Sequence, residues 1–193
     1  VCASIIPWNF PLLMAVWKLG PALATGNTIV LKPASDTPLN ALELARIVDQ
    51  VGFPPGVVNI ISGPGSVIGE ALTTSPLVDK VAFTGSTEVG RDIMAKAAAT
   101  LKKVTLECGG KSANIVLHDA NWAITIDGSI FASFYHQGQV CESGTRLLLP
   151  KNHHDDFVAE MVRKLESLPM GDPLDPETKV GPVVSERQMQ SVL

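Results

Sequence analysis

The sequence lacks a concentrated basic stretch, and its apolar segments are short. Its 193 residues include 15 Lys and Arg and 19 Asp and Glu, which give a net charge of −4. A chain without a basic patch has no electrostatic attraction for nucleic acid or for an anionic membrane surface. We therefore expect a small-molecule ligand, no nucleic acid and no membrane partner.

The most apolar early stretch, residues 10–31, is interrupted by polar and helix-breaking residues. A membrane-spanning helix needs about 20 predominantly apolar residues, whereas this stretch contains Lys18, Gly20, Pro21 and Gly26. The chain also opens without the basic region of a signal peptide and without an initiator methionine. These features predict no transmembrane segment, and we interpret the chain as an internal fragment.

Cysteine is scarce, because only Cys2, Cys108 and Cys141 occur in the whole sequence. Their number is odd, and no CxxC pair or histidine-rich tract accompanies them, so the pattern predicts no structural zinc. Free cysteines and the absence of a targeting signal favour a reducing compartment. We expect a cytoplasmic protein that holds no metal.

The sequence does contain an alternation of strand-like and helix-like segments. Residues 1–6 and 28–32 favour strands and flank a helical stretch at 11–24, which makes a βαβ unit. Thr37 and Pro38 are typical of the N-cap and first turn of a helix, which Gly52 ends. The alternation continues with strands at 57–61, 80–83 and 103–107 and with helices at 66–73 and 87–99. This order predicts an α/β fold with a doubly wound sheet.

A second α/β segment follows the pair Gly109 and Gly110. It contains predicted strands near 114–117 and 146–149, predicted helices near 124–136 and 155–168, and the start of a further helix. We place a domain boundary near residue 110. The predicted domains are residues 1–109 and residues 110–193.

Two glycine-rich turns lie between a predicted strand and a predicted helix. In the segment Gly85–Gly90, free backbone N–H groups and the positive end of the helix suit a phosphate, and Ser86 adds a hydroxyl donor. Its spacing is not GxGxxG, so a turn that serves only close packing is an open alternative. Gly63, Gly65 and Gly69 form the second turn, which either admits a cofactor or is simply a turn.

Three residues have chemistry that suits catalysis, and each has a plainer alternative. Cys141 is a nucleophile if it is exposed and its thiolate is favoured, and otherwise an inert core residue. Glu107 ends a predicted strand, where a carboxylate acts either as a general base or as a surface or salt-bridged acid. Asn9 lies between Pro7 and Pro11. It either donates to an oxyanion through its side-chain amide or is simply a turn residue.

Five segments resemble the motifs of the aldehyde dehydrogenase superfamily in their order and approximate spacing. They are PWNFPL, LKPAS, FTGSTEVG, LECGGKS and GQVCESGTR. The resemblance covers essentially the whole chain, and it implies an NAD(P)-dependent oxidoreductase that converts an aldehyde to a carboxylic acid. It further implies a Rossmann-like coenzyme-binding part in residues 1–109, the start of an α/β catalytic domain in 110–193, and a homo-oligomeric full-length enzyme.

The resemblance also implies a role for each motif residue. Cys141 would be the nucleophile that forms a thiohemiacetal and then a thioester, and Glu107 the general base. Asn9 and the backbone N–H of Cys141 would donate to the oxyanion. The residues implied to bind NAD or NADP are Ile5, Trp8, Lys32, Ser35, Gly65, Gly85, Ser86, Thr87 and Gly90.

Four positions depart from the pattern that the superfamily commonly shows. Ser35 occupies a position where many NAD-preferring members carry a glutamate that repels a 2′-phosphate, so we expect NADP to be tolerated beside NAD. Cys108 replaces a usual leucine, Ala113 a common proline and His136 a common asparagine. None of these changes removes a catalytic group.

Two other functions are compatible with the resemblance. A coenzyme A-acylating aldehyde dehydrogenase would pass the thioester to a thiol, but the presence of Glu107 argues for hydrolysis. A non-catalytic protein that keeps the fold is disfavoured, because Cys141, Glu107, Asn9 and Lys32 are all retained. We expect the 193-residue chain by itself to be inactive, because half a catalytic domain does not close a site.

Overall fold

Five parallel strands form the sheet of residues Val1–Cys108, the first of two units in the computed structural model, which describes residues 1–193. The strands are β1 (Cys2–Ile5), β2 (Ile29–Lys32), β3 (Val58–Ile60), β4 (Lys80–Gly85) and β5 (Lys103–Cys108). Their order is β3-β2-β1-β4-β5, with every neighbouring pair parallel. This order is that of the first five strands of a doubly wound dinucleotide-binding sheet, so the predicted fold class is confirmed.

Helices connect these strands in sequence. They are α1 (Pro11–Ala24), α2 (Leu39–Val51), α3 (Glu70–Thr74) and α4 (Thr87–Ala97). The start of α1 at Pro11 follows from the fixed φ of proline and its missing N–H, which cost nothing at the first helical position. The helix predicted at 66–73 begins instead as a π-helical turn over Gly65–Gly69.

The cap predicted at Thr37 is wrong. Helix α2 begins at Leu39, and no side chain caps its first turn. The Thr37 hydroxyl donates instead to the backbone oxygen of Trp8, 3.3 Å away. The C-terminal end agrees with the sequence, because Gly52 adopts a left-handed conformation with φ 81° that glycine accepts without steric cost.

The core of this unit lies on both faces of the sheet. Successive residues of a strand project to opposite faces, so Ala3 and Ile5 face one side with Phe83, while Ile29 and Leu31 face the other. Helix α1 covers the second face through Met14, Ala15 and Leu19. Full burial of each large apolar side chain contributes roughly 1.5–3 kcal/mol.

Residues Gly109–Leu193 form the second unit. Its elements are β6 (Ala113–Ile115), α5 (Trp122–Phe134), β7 (Arg146–Leu148), α6 (His154–Glu166) and α7 (Glu186–Val192). The two strands pair in parallel, and Val116, Ile126, Phe157 and Met161 form the core beside them. Across both units, no helix combines the length and the apolar character needed to cross a bilayer.

Candidate functional site

The carboxyl ends of the five strands place most of the predicted site residues of the first unit along one edge of the sheet. Ile5 pairs in register with Lys32 of β2 and with Phe83 of β4, and Gly85 pairs with Cys108. The chain connects β1 to β2 on one side, whereas β4 pairs with β1 on its other side. Ligands of doubly wound sheets bind at this edge, where the strand order reverses.

The glycine-rich turn at this edge begins α4. Ser86 is the N-cap, and its hydroxyl accepts a hydrogen bond from the backbone N–H of Val89 at 3.3 Å. Thr87 is the first residue of α4. The first backbone N–H groups of a helix have no partner within it, so this end offers donors and a positive dipole end to an anion.

Glycine is required on both sides of this turn for steric reasons. A Cβ on Gly85 would lie 2.5 Å from Cζ of Phe83, and a Cβ on Gly90 would lie 3.0 Å from Sγ of Cys108. Gly90 therefore lets α4 pack closely on the sheet at Cys108 of β5, whereas Gly85 leaves room for the Phe83 ring of its own strand β4. Close packing thus accounts for the glycine at position 90, and anion binding at this turn stays a prediction.

The second glycine-rich turn lies beside the loop that follows β2. The Ser35 hydroxyl donates to the backbone oxygen of Gly63 at 3.4 Å. Gly63 has φ 151°, and a Cβ there would lie 2.5 Å from Cδ1 of Ile68. A Cβ on Gly65 would meet open space, so close packing does not require glycine at position 65.

The predicted cofactor-binding residues at this edge of the sheet differ in their exposure, as is seen for Lys32, Trp8 and Ile5. Lys32 is buried, its Nζ donates to the backbone oxygen of Pro33 at 2.9 Å, and burial lowers the pKa of the ammonium. Trp8 is half-buried, and its backbone oxygen is the acceptor for Thr37. The Ile5 side chain packs in the core, close to Gly69.

Glu107 lies next to Lys18, one of the residues that interrupt the apolar stretch of residues 10–31. Glu107 is exposed and pairs in register with Thr84, whose hydroxyl accepts a hydrogen bond from Nζ of Lys18 at 2.9 Å. Burial lowers the pKa of Lys18, while the charge of Glu107 acts in the opposite direction. A lone cation within the otherwise apolar helix α1 was the signal that could have identified this residue.

Asn9 follows β1 and directly precedes α1. It is half-buried and lies two residues before Pro11, which begins the helix. Pro7, two residues before Asn9, has a φ that its own ring fixes. Asn9, Lys18 and Glu107 thus all belong to the first unit, together with the glycine-rich turns.

Cys141 belongs to the second unit, on a tight turn between α5 and β7. The backbone N–H of Ser143 donates to the oxygen of Val140 at 3.2 Å, so Cys141 and Glu142 are the two central residues of the turn. A backbone hydrogen bond just after the turn attaches it to α5, because the Gly144 N–H donates to the Ala132 oxygen at 3.0 Å. Cys141 is partly exposed, so it is not a fully buried core residue.

The approach to this turn is a left-handed segment that the sequence did not predict. Helix α5 ends at Phe134, and His136, Gln137 and Gly138 have φ values of 55°, 57° and 71°. A non-glycine residue in this region costs roughly 1–2 kcal/mol, because its Cβ approaches the following carbonyl oxygen. The segment therefore needs contacts from elsewhere to hold it.

One family model and two curated relatives match this chain over its whole length. A family model described as "Aldehyde dehydrogenase family" matches residues 1–193. The chain is 56% identical to DhaS of Bacillus subtilis (strain 168) over 193 residues and 50% identical to the mitochondrial aldehyde dehydrogenase of Homo sapiens over 194 residues. These alignments cover 100% of this chain, and they cover 39% and 38% of the two relatives.

Solved structures resemble the chain equally well. The NAD+ complex of an aldehyde dehydrogenase from Bacillus cereus matches with a TM-score of 0.97 and 46% identity, over 99% of this chain and 39% of that one. An NADP-dependent enzyme from E. coli matches with a TM-score of 0.96 and 42% identity, over 99% and 40%. The chain thus spans about two fifths of the length of the proteins that it matches.

Proposed function

Because the chain belongs to the aldehyde dehydrogenase family, we propose that the protein carrying it oxidises an aldehyde to a carboxylic acid with NAD or NADP. The observation that carries this proposal is the family match over all 193 residues. It is supported by the arrangement of Asn9 and Glu107 at one sheet edge and of Cys141 on an anchored turn. The proposed domains are a coenzyme-binding part in residues 1–109 and the start of a catalytic domain in residues 110–193.

The sheet edge of the first unit fits a dinucleotide. Gly90 lets α4 lie close to the sheet, and Ser86 retains a hydroxyl proton for a phosphate oxygen after it has accepted the Val89 N–H. Lys32 uses one of its three ammonium protons on Pro33, which leaves two for ribose hydroxyls. When bound here, NAD or NADP would supply the hydride acceptor for the oxidation of the substrate.

The residues of the chain carry the remaining steps. The thiolate of Cys141 adds to the aldehyde carbon, and negative charge develops on the former carbonyl oxygen. The amide of Asn9 and the backbone N–H of Cys141 donate hydrogen bonds to that oxygen. One such donor is worth roughly 2.7–4 kcal/mol of transition-state stabilisation in related acyl chemistry. Collapse of this thiohemiacetal oxyanion would break the C–H bond of the substrate carbon and release its hydride to the bound cofactor, which leaves a thioester on Cys141.

Glu107 completes the reaction as a general base. It takes a proton from water, the resulting hydroxide adds to the thioester carbon, and the Cys141 thiolate leaves as the carboxylic acid forms. The exposed carboxylate of Glu107 supports access of water. Because hydrolysis requires such a base, we favour release of the acid over transfer to coenzyme A.

We also propose a cofactor choice, an assembly and a cellular location for the full-length enzyme. Ser35 carries no charge that would repel a 2′-phosphate, so both NAD and NADP are accepted. We further propose that the full-length enzyme is a cytoplasmic homo-oligomer. The chain spans about two fifths of its relatives, and we expect residues 1–193 alone to show no aldehyde-dependent formation of NADH.

The test is mass spectrometry of the full-length enzyme that has been mixed with an aldehyde and NAD(P) and quenched early in the reaction. We expect an acyl adduct on the peptide that contains Cys141, carboxylic acid as product and no adduct in a Cys141→Ser variant. Turnover by Cys141→Ser would overturn the mechanism. A requirement for coenzyme A would replace the hydrolytic reaction by the acylating one.

A further inference from the structure

The left-handed segment His136–Gly138 lies immediately before the turn that carries Cys141. Two of its three residues are not glycine, so the local backbone preference opposes its conformation. Such a conformation persists only where surrounding contacts determine it. The direction in which the chain enters the Cys141 turn therefore depends on what holds this segment.

Gln139 holds the segment from within the second unit. Its side chain is buried, with 8% of its surface exposed. Its Nε2 donates to the backbone oxygen of His136 at 3.1 Å, and its Oε1 accepts from the backbone N–H of Val184 at 3.0 Å. The amide thus connects the left-handed segment to a chain segment 45 residues further along.

Gln137 makes a parallel connection. In the amide orientation that satisfies both neighbours, Gln137 donates to the same His136 oxygen at 3.2 Å and accepts from the N–H of Gly181 at 3.1 Å. Both glutamines therefore join the His136 carbonyl to residues 181–184. Gln139 is the more buried of the two, and it lies two residues before Cys141.

We propose that Gln139 is a positioning residue for Cys141, which fixes the direction of the Cys141 backbone N–H by clamping the left-handed segment to residues 181–184. This inference rests on the proposed role of Cys141 as nucleophile and of its N–H as oxyanion donor. Gln139 itself makes no contact with the substrate in this scheme. Loss of the clamp lets the backbone at 139–141 rotate, which misdirects the donor while the thiol remains present.

The experiment compares three variants of the full-length enzyme. Gln139→Met keeps the length of the side chain but removes both hydrogen bonds, whereas Gln139→Glu keeps the acceptor for Val184 and loses the donor to His136. Gln190→Met, at an exposed position of α7, is the matched control. The measurements are kcat, the KM for cofactor and for aldehyde, the thermal unfolding midpoint and the rate of alkylation of Cys141 by iodoacetamide.

We expect kcat of Gln139→Met to fall at least about tenfold, with Gln139→Glu in between and Gln190→Met unchanged. The KM for cofactor stays within about twofold, and Cys141 is still alkylated, because the fold and the thiol persist. A kcat of Gln139→Met within about twofold of the parent overturns the inference. Loss of folding in both Gln139 variants also overturns it, because Gln139 would then stabilise the fold rather than position Cys141.

The Cys141→Ser variant separates this inference from the proposed function. If Cys141→Ser turns over aldehyde, the proposed mechanism fails whatever Gln139 does. If Cys141→Ser is inactive and Gln139→Met matches the parent, only the positioning role fails.

Discussion

Nζ of Lys18 donates a hydrogen bond to Oγ1 of Thr84, 2.9 Å away, and so joins helix α1 to strand β4. Thr84 pairs in register with Glu107 on β5, and the charge of Glu107 partly offsets the effect of burial on the Lys18 pKa. The half-buried ammonium thus has a hydroxyl acceptor and a carboxylate that both belong to the same sheet edge. Its protonation is coupled to the group that we propose as general base.

Glu107→Gln should make Lys18 more reactive toward amine reagents. Removal of the carboxylate removes the effect that raises the Lys18 pKa, so the pKa falls further and more of the neutral amine is present at pH 8. We expect labelling of Lys18 to accelerate roughly a few-fold, measured by peptide mass spectrometry against exposed Lys151 in the same sample. The difference should vanish at a pH above the pKa in both proteins. Unchanged or slower labelling at pH 8 contradicts the coupling.

Ser35→Glu should make the enzyme selective for NAD. A carboxylate beside the ribose repels the 2′-phosphate of NADP, so we expect kcat/KM for NADP to fall by at least about tenfold, or about 1.4 kcal/mol. Steady-state kinetics with both cofactors measures the change, and Ser35→Gln is the uncharged control. A parent enzyme that already prefers NAD by more than about a thousandfold, or about 4 kcal/mol, would contradict the proposal that both NAD and NADP are accepted.

Gly90→Ala should weaken cofactor binding, although alanine is the better helix former. Its Cβ would lie 3.0 Å from Sγ of Cys108, so the first turn of α4 must move away from the sheet. Overpacking of this kind costs about 1–3 kcal/mol, and we expect the KM for cofactor to rise several-fold. Cys108→Ala makes room and should restore the KM in the double variant. Equal effects of Gly90→Ala in both backgrounds would show that the contact is not the cause.

Glycine and valine at position 136 should differ in stability by roughly 1–2 kcal/mol in favour of glycine. His136 has φ 55°, which a β-branched side chain tolerates poorly and glycine tolerates well. The thermal unfolding midpoints of His136→Gly and His136→Val provide the comparison. The same pair at His154, where φ is −57°, is the control and should show the opposite order. The same order at both positions would mean that backbone strain is not responsible.

Ser143→Ala should leave stability unchanged or raise it by up to about 1 kcal/mol. The Ser143 hydroxyl is buried and has no hydrogen-bond partner, so its removal relieves a desolvation cost. Ser133→Ala is the matched control, since the Ser133 hydroxyl donates to the Gly144 oxygen at 3.1 Å. We expect that control to lower the free energy of unfolding by about 1 kcal/mol. A larger loss for Ser143→Ala than for Ser133→Ala in denaturant titration contradicts this assignment.

The regular elements were largely predictable, because their determinants are local. Helix α1 has the predicted bounds, since Pro11 favours a first helical turn and the apolar residues recur at helical spacing. The predictions failed where a side chain had a more distant partner. Thr37 donates to Trp8 rather than capping α2, and α5 stops at Phe134 because Tyr135, with ψ 137°, already leaves the helical conformation.

The sequence by itself determined the fold class, the family and the identity of the proposed chemical groups Cys141, Glu107 and Asn9. Strand and helix periodicity and short motifs are properties of neighbouring residues, so they can be read along the chain. Only the tertiary structure decided that Lys18 meets Thr84 and that Gln139 meets Val184. These pairs are 66 and 45 residues apart in the chain, and their contacts follow from how the sheet and the loops bring distant backbone together.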